Sequence, residues 1–174
     1  WAWNGRGLTL KEMDRKEEAV VSYERAAQEA PHIIWYFINQ VDILLDINQH
    51  QQALEIINQA VDKNRHNPIV WARRGQVLRR MQRFDDAIQS YDRAVELQPD
   101  YAWAWNGKGL CYYALENWEQ AMTCYKAALD RDPNDVWFWH NYGEALIKLG
   151  RHDEAVTVLE QALGIDPKHR PTQQ

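Results

Sequence analysis

Apolar and small residues recur along the chain in two alternating helical patterns. Between residues 102 and 133, Trp105, Gly109 and Tyr112 fall at i, i+4 and i+7, one face of a helix. Ala121, Tyr125 and Ala128 do the same on a second helix, and residues 115–118 hold the turn between them. Asp132-Pro133 closes the unit, because proline cannot continue a helix and disfavours helical geometry in the residue before it.

The pattern returns at a constant period. Trp71, Gly75, Leu78, Ala87, Tyr91, Ala94 and Pro99 precede it, and 105 − 71 = 34 gives the period. Further out stand Trp3, Gly7, Leu10, Ala19, Tyr23, Ala26 and Pro31 on one side. On the other stand Trp139, Gly143, Leu146, Ala155, Leu159, Ala162 and Pro167. One unit is degenerate, with Phe37, Val41, Leu44, Ala53, Ile57, Ala60 and Arg65. The first unit predicts helices near 1–13 and 17–29. Gly7, Gly75, Gly109 and Gly143 are expected at helix contacts too close for a larger side chain. Val41 is expected to push its two helices apart, and Arg65 to let its second helix run on toward Asn67-Pro68. Short polar turns precede Glu17-Glu18, Asp85-Asp86, Glu119 and Asp153-Glu154, which suit the positive end of a helix dipole.

A 34-residue helix–turn–helix with these residues resembles the tetratricopeptide repeat (TPR) family. The match spans residues 1–169 of 174, as units 1–33, 34–67 (degenerate), 68–101, 102–135 and 136–169, followed by a tail, 170–174. The resemblance implies an all-α fold, a right-handed superhelical solenoid of antiparallel helix pairs, with the first helix of each pair lining the concave face. Each unit then packs only on its neighbours. Such arrays usually close with an extra polar-faced helix, and none follows here. Val156, Leu159 and Leu163 are therefore expected to be covered by another molecule or partly exposed, and self-association through this uncapped end is expected. The chain begins inside a helix, at Trp1, and so reads as a fragment of a larger protein. Any leader lies outside it.

Composition changes this picture little. The net charge of −5 offers no bulk attraction for nucleic acid. No apolar run approaches the ~18 residues of a membrane span, and no secretory signal is evident. Cys111 and Cys124 read as buried thiols of a reducing compartment, so a cytoplasmic location is expected. The histidines lack metal-site spacing, and Gly5-Arg6-Gly7 and Gly107-Lys108-Gly109 lack the flanking pattern of a phosphate loop. No catalytic constellation, metal or cofactor is expected.

Binding is the remaining class. Trp3, Trp71, Trp105 and Trp139 belong to the repeat pattern and are expected in the core. Trp1, Trp35, Trp103 and Trp137 exceed it and share the second position of their units, which by the family's geometry faces the groove. They either stiffen the array by packing on neighbours or anchor a ligand, since tryptophan buries much area with few rotors to freeze. Asn4 and Asn106 follow three residues after their tryptophans, and Asn39 and Asn141 four after. Asparagine is a mediocre helix former, but its amide can both donate to and accept from a peptide backbone. The pairing recurs at 103 − 1 = 102 residues, so the two ends of the chain look like copies of one site. Gly5 and Gly107 would leave a gap for a ligand or a neighbouring ring. Between the copies, the first helix of the third unit carries Arg73, Arg74, Arg79 and Arg80, and that of the second unit offers Asp42 and Asp46. These either pair between helices or receive an acidic partner on Arg73, Gln76 and Arg80. The carboxylate clamp of chaperone-binding TPRs would need lysines where Asn4 and Ile69 stand and an asparagine where Leu8 stands; only Asn39 and Arg73 fit, which argues against that activity. The sequence points to a scaffold binding a peptide or protein segment on its concave face. A recognition module of a larger enzyme or signalling protein, or a spacer, are the alternatives.

Overall fold

The polar turn residues share one conformation. Asp14, Asn48, Gln82 and Glu116 have φ of 57–59° and Gly150 has 72°, all in the left-handed region and each one period after the last. Each ends a helix with two reverse bonds, as where Gln82 N–H donates to the Arg79 carbonyl and Arg83 N–H to that of Leu78. This is the Schellman ending, normally completed by glycine. Only Gly150 supplies it here. The chain can therefore reverse within three residues and lay a second helix against the first.

The structure, a computed structural model, describes residues 2–167; Trp1 and the tail lie outside them. Among the described residues there are ten helices and no strand. They are α1 (Ala2–Glu12), α2 (Lys16–Glu29), α3 (Ile34–Asp46), α4 (His50–Lys63), α5 (Pro68–Arg80), α6 (Phe84–Leu97), α7 (Ala102–Ala114), α8 (Trp118–Leu129), α9 (Val136–Lys148) and α10 (His152–Ile165). The fold is an all-α helical repeat. Two compact units divide the chain, 1–97 with α1–α6 and 98–174 with α7–α10. Inside each, odd and even helices pair as hairpins. The even helix of one hairpin also packs on the odd helix of the next, as α2 on α3, α4 on α5 and α8 on α9.

The glycines explain the pairing. A Cβ on Gly109 would stand 2.6 Å from the Tyr125 ring, one on Gly75 2.9 Å from Tyr91, and one on Gly7 3.0 Å from Tyr23. On Gly143 it would stand 2.6 Å from Leu159. The three tyrosines are themselves buried, and Ala19, Ala53, Ala87, Ala121 and Ala155 line the same joints. Backbone proximity, made possible by glycine and alanine, is what lets a tyrosine ring fill the space between two helices. Val41 and Ile57, both fully buried, hold this place in the α3–α4 hairpin, and the two backbones stay less close along their length than in the glycine-bearing hairpins.

Two expectations need correction. α4 does not run on past Arg65; it stops at Lys63. The Asn64 side chain donates to the Ala60 carbonyl, and Asn67 N–H donates to the Asn64 carbonyl. Asn67 then caps α5 by accepting from Ile69 N–H at 2.9 Å, with Pro68 at the first helical position. An asparagine turn thus does the work of the missing proline. The pattern tryptophans, secondly, are half-buried rather than core. The indole N–H groups of Trp71, Trp105 and Trp139 donate to the carbonyls of Arg65, Pro99 and Pro133 at 2.8–3.0 Å. Guanidinium or ammonium groups stand over the rings of Trp71 and Trp105, as Arg131 does over Trp105 at 5.0 Å. Each indole therefore fastens its helix to the loop six residues before it. Trp105→Phe keeps most of the packing and loses that bond. It should cost about 1 kcal/mol in denaturant unfolding.

The acids of the second helices do more than meet the dipole. Glu18, Asp86 and Glu154 each receive the arginine that precedes the helix, Arg15, Arg83 and Arg151, at 2.6–2.7 Å. No helix among the described residues is long and apolar enough to cross a membrane. On α10, Leu159 is half-buried over Gly143, whereas Val156 (58%) and Leu163 (49%) are exposed.

Candidate functional site

An odd helix repeats about every 100° per residue, so positions 35, 39, 42 and 46 of α3 form one column on it. The corresponding column of α5 is 69, 73, 76 and 80, and that of α9 is 137, 141, 144 and 148. None of these residues is buried, while the residues between them, such as Ile38, Ala72 and Phe138, are. The column is the face of the odd helices that solvent reaches.

In the second unit, Asp135 caps α9 by accepting from Trp137 N–H at 2.8 Å, which fixes where the indole leaves the helix start. Trp137 is 45% exposed and meets His140 edge-on at 6.0 Å. Trp103, half-buried, stacks on Tyr101 at 6.2 Å. Asn141 Nδ2 donates to Asn106 Oδ1 at 2.9 Å, and Asn106 is only 8% exposed. Asn106 is therefore not a presenting amide. It occupies the position filled by buried Ile38 and Ala72 in α3 and α5, and it orients Asn141 from below. The remaining Asn141 amide atoms lie on the exposed column. Further along, Tyr113 meets Glu144: burial raises the phenol pKa first, and the charge of and hydrogen bond to Glu144 add to it. Its ring meets Trp118 edge-on at 4.9 Å, and Lys148 stands 5.8 Å over Trp118. Gly107 is buried.

In the first unit, Trp35 is 53% exposed and Asn39 lies half-buried one turn on. Asn4 is half-buried too. Gly5 is open, with nothing within 4 Å of an added Cβ. Arg73 is engaged: its Nη1 donates to Asp42 at 3.1 Å and to Gln76 Oε1 at 2.9 Å. Burial pushes the Asp42 carboxyl above its ordinary value; Arg73 and Lys11 oppose this, and Asp46 adds to it. Of the three predicted anion-receiving residues, Arg73 and Gln76 are thus tied into an α3–α5 pairing, and Arg80 is exposed. This is the interhelical alternative weighed in the sequence.

Some polar residues carried no signal by composition. Arg74 reaches Asn58 through Nε at 2.9 Å and Ser90 through Nη1 at 2.6 Å, and Arg6 reaches Ser22 through Nη1 at 2.6 Å. Arginine and serine stand equally far apart in both hairpins (22 − 6 = 90 − 74), and that shared spacing is the sign that could have found them. A hollow of about 420 Å³ beside Trp3, Arg6 and Arg25 lies away from the Trp–Asn columns. No cluster of three or more His, Cys, Asp or Glu among the described residues could hold a metal. Cys111 and Cys124 are both buried.

Comparison with known proteins gives a consistent picture. A tetratricopeptide repeat family model matches residues 38–102, 73–136 and 107–170, and a second one matches 2–33. No curated protein matches the chain. Among solved structures, TTC0263 of Thermus thermophilus, a thermophilic TPR protein, superposes with a TM-score of 0.80 at 21% identity, covering 96% of this chain and 91% of that one. MamA of Desulfovibrio magneticus RS-1, from residue 41, gives 0.79 at 16%, covering 98% and 96%. YrrB, a TPR protein with an unusual peptide-binding site, gives 0.69 at 19%, covering 96% and 86%.

Proposed function

The chain belongs to the tetratricopeptide repeat family, and on that basis we propose that it is a protein-interaction scaffold holding an extended peptide segment along the exposed column of its odd helices. The observation that carries this is the pair of open indoles, Trp35 and Trp137, each followed four residues later by an asparagine on the same column. Large aromatic rings left in solvent cost the free protein hydrophobic free energy that a bound side chain would recover. Asn141, steadied by Asn106, would donate to and accept from the peptide backbone, which allows binding without a fixed side-chain sequence. Trp103 would support the adjoining side chain, with Trp35 and Asn39 forming the equivalent contact in the first unit; Trp1 and Asn4 belong to the same proposal. Within the first unit, an acidic peptide held at Trp35 and Asn39 would reach Arg80 beside Arg73 and Gln76. YrrB, similar in fold, offers a precedent for peptide binding on such an array.

Peptides selected by display on the wild-type chain provide the ligand for the test. Trp103→Ala with Trp137→Ala should weaken them by roughly 2 kcal/mol or more, while Tm moves little because neither indole completes the core. Peptides that bind the double variant unchanged, or a large Tm loss at constant affinity, would show that these rings only stiffen the array.

A further inference from the structure

One polar contact recurs in the first and third hairpins: Arg6 holds Ser22 and Arg74 holds Ser90, both at 2.6 Å. One period on from Arg6 and Ser22, the second hairpin carries Gln40 and Ile56 instead. Isoleucine offers no acceptor, and the shorter glutamine is sealed in, only 2% exposed. The Gln40 side chain makes no hydrogen bond among the described residues. Other replacements meet it there. Arg74 also donates to Asn58 on the preceding helix at 2.9 Å, and one period before Asn58 stands Glu24. Phe37 holds the place of the pattern tryptophans without their N–H. Lys63 stands 5.2 Å over Phe37, as Arg131 stands over Trp105, but it donates to no carbonyl among the described residues. Gln40, Ile56, Glu24, Phe37 and Lys63 all line one hollow of about 100 Å³ between α2, α3 and α4.

We propose that this hollow binds a primary carboxamide, the group that ends a glutamine side chain. A buried amide without a partner costs free energy that a ligand able to satisfy it returns. Gln40 needs an acceptor for its N–H and a donor for its carbonyl, and a second carboxamide supplies both in one plane. Lys63 would donate to the ligand's oxygen, and Glu24 would accept from its remaining N–H. Phe37 and Ile56 would flank the methylenes behind it. Charged groups fit less well: a carboxylate meets Gln40 Oε1 and Glu24, and an ammonium meets Lys63. A water takes up roughly 30 Å³, so the space suits the end of one side chain. Gln40 and Phe37 lie off the column 35, 39, 42 and 46, and this site does not depend on peptide binding there.

Titration of the isotope-labelled chain with propionamide, followed by NMR at the Gln40 side-chain amide, tests this. Propionamide should move that resonance saturably and bind about tenfold more tightly than propionate or propylammonium. Gln40→Leu should abolish the response at Phe37 and Ile56 while Tm stays at or above that of the wild type, because an unpaired polar group has been replaced by an apolar one. Gln40→Arg with Ile56→Ser rebuilds the Arg–Ser contact of the neighbouring hairpins; it should fold, fill the hollow and lose binding. Free L-glutamine compared with its N-acetyl methylamide distinguishes the sources. The proposal stands in either case: equal binding assigns the free amino acid, and binding of the blocked form alone assigns a glutamine within a protein. Propionamide that leaves the Gln40 resonance unmoved, or moves it without saturation, overturns the proposal. So does propionate bound as tightly as propionamide, or binding that survives Gln40→Leu.

Discussion

Gly109→Leu is expected to lower the stability of the chain by about 3 kcal/mol or more, a fall of roughly 6–12 °C in Tm at this size. The cause is geometric. Even the first carbon of the new side chain would lie 2.6 Å from the buried Tyr125 ring. Gly109→Ala already places that carbon, so most of the loss should come with alanine despite its better helix propensity. Gly5 provides the control within the same pattern of residues. It has nothing within 4 Å of an added Cβ, so Gly5→Ala should stabilise α1 by up to about 1 kcal/mol. Thermal unfolding of the three variants distinguishes close packing from intrinsic propensity, and two glycines that behaved alike would remove the packing account.

The α3–α4 hairpin offers the second large effect. Val41 and Ile57 are separated as Gly75 and Tyr91 are (57 − 41 = 91 − 75), and all four are buried. Valine plus isoleucine therefore replaces glycine plus tyrosine as the filling of the joint. Ile57→Tyr alone should overpack it and cost about 2–3 kcal/mol. Val41→Gly alone should leave a cavity of comparable consequence. Together they recreate the arrangement of the α5–α6 hairpin, and the double variant should recover most of the loss, a coupling of about 2 kcal/mol or more. Chemical denaturation of all four members of the cycle gives the answer; additive losses would mean that the two side chains do not share one space.

These two experiments also mark what the sequence could and could not disclose. The close approach at the glycines was legible because a helix pair that recurs at a fixed period repeats its contacts too; that the tyrosine rings fill it came from the structure. Helix ends came out within a residue or so where a turn residue announced them: 17–29 was expected and Lys16–Glu29 is found. The end of α4 was misjudged because a lost proline was weighed, while the hydrogen-bonding capacity of Asn64 and Asn67 was not. For the candidate site, Asn106 and Asn141 looked equivalent, each lying about one turn beyond a tryptophan. At about 100° per residue, a step of three falls roughly 60° short of a full turn and a step of four passes it by roughly 40°. The first points Asn106 toward the neighbouring helix, and the second leaves Asn141 on the exposed column. Angular position separates them, whereas counting residues did not. The Arg73–Asp42 pairing was visible as an alternative, but charge alone could not say whether those groups would find each other or a partner.

The way the hairpins are fastened bears on how the chain reaches its structure. Trp71, Trp105 and Trp139 bind carbonyls six residues away, the turn arginines bind acids three away, and the longer ties, Asn141 to Asn106 and Arg131 to Pro99, span 35 and 32 residues. Each is a contact within one hairpin or with the next. Low contact order of this kind makes folding fast, since no distant loop has to close before its first reward. It also lets ordering start in any hairpin and spread by neighbour contacts, and lets unfolding begin wherever a hairpin has only one neighbour. Amide hydrogen exchange should then proceed hairpin by hairpin, each opening as its own cooperative step rather than with the whole chain. The peptide surface proposed for the odd helices would gain from this, because single hairpins could adjust without melting the array.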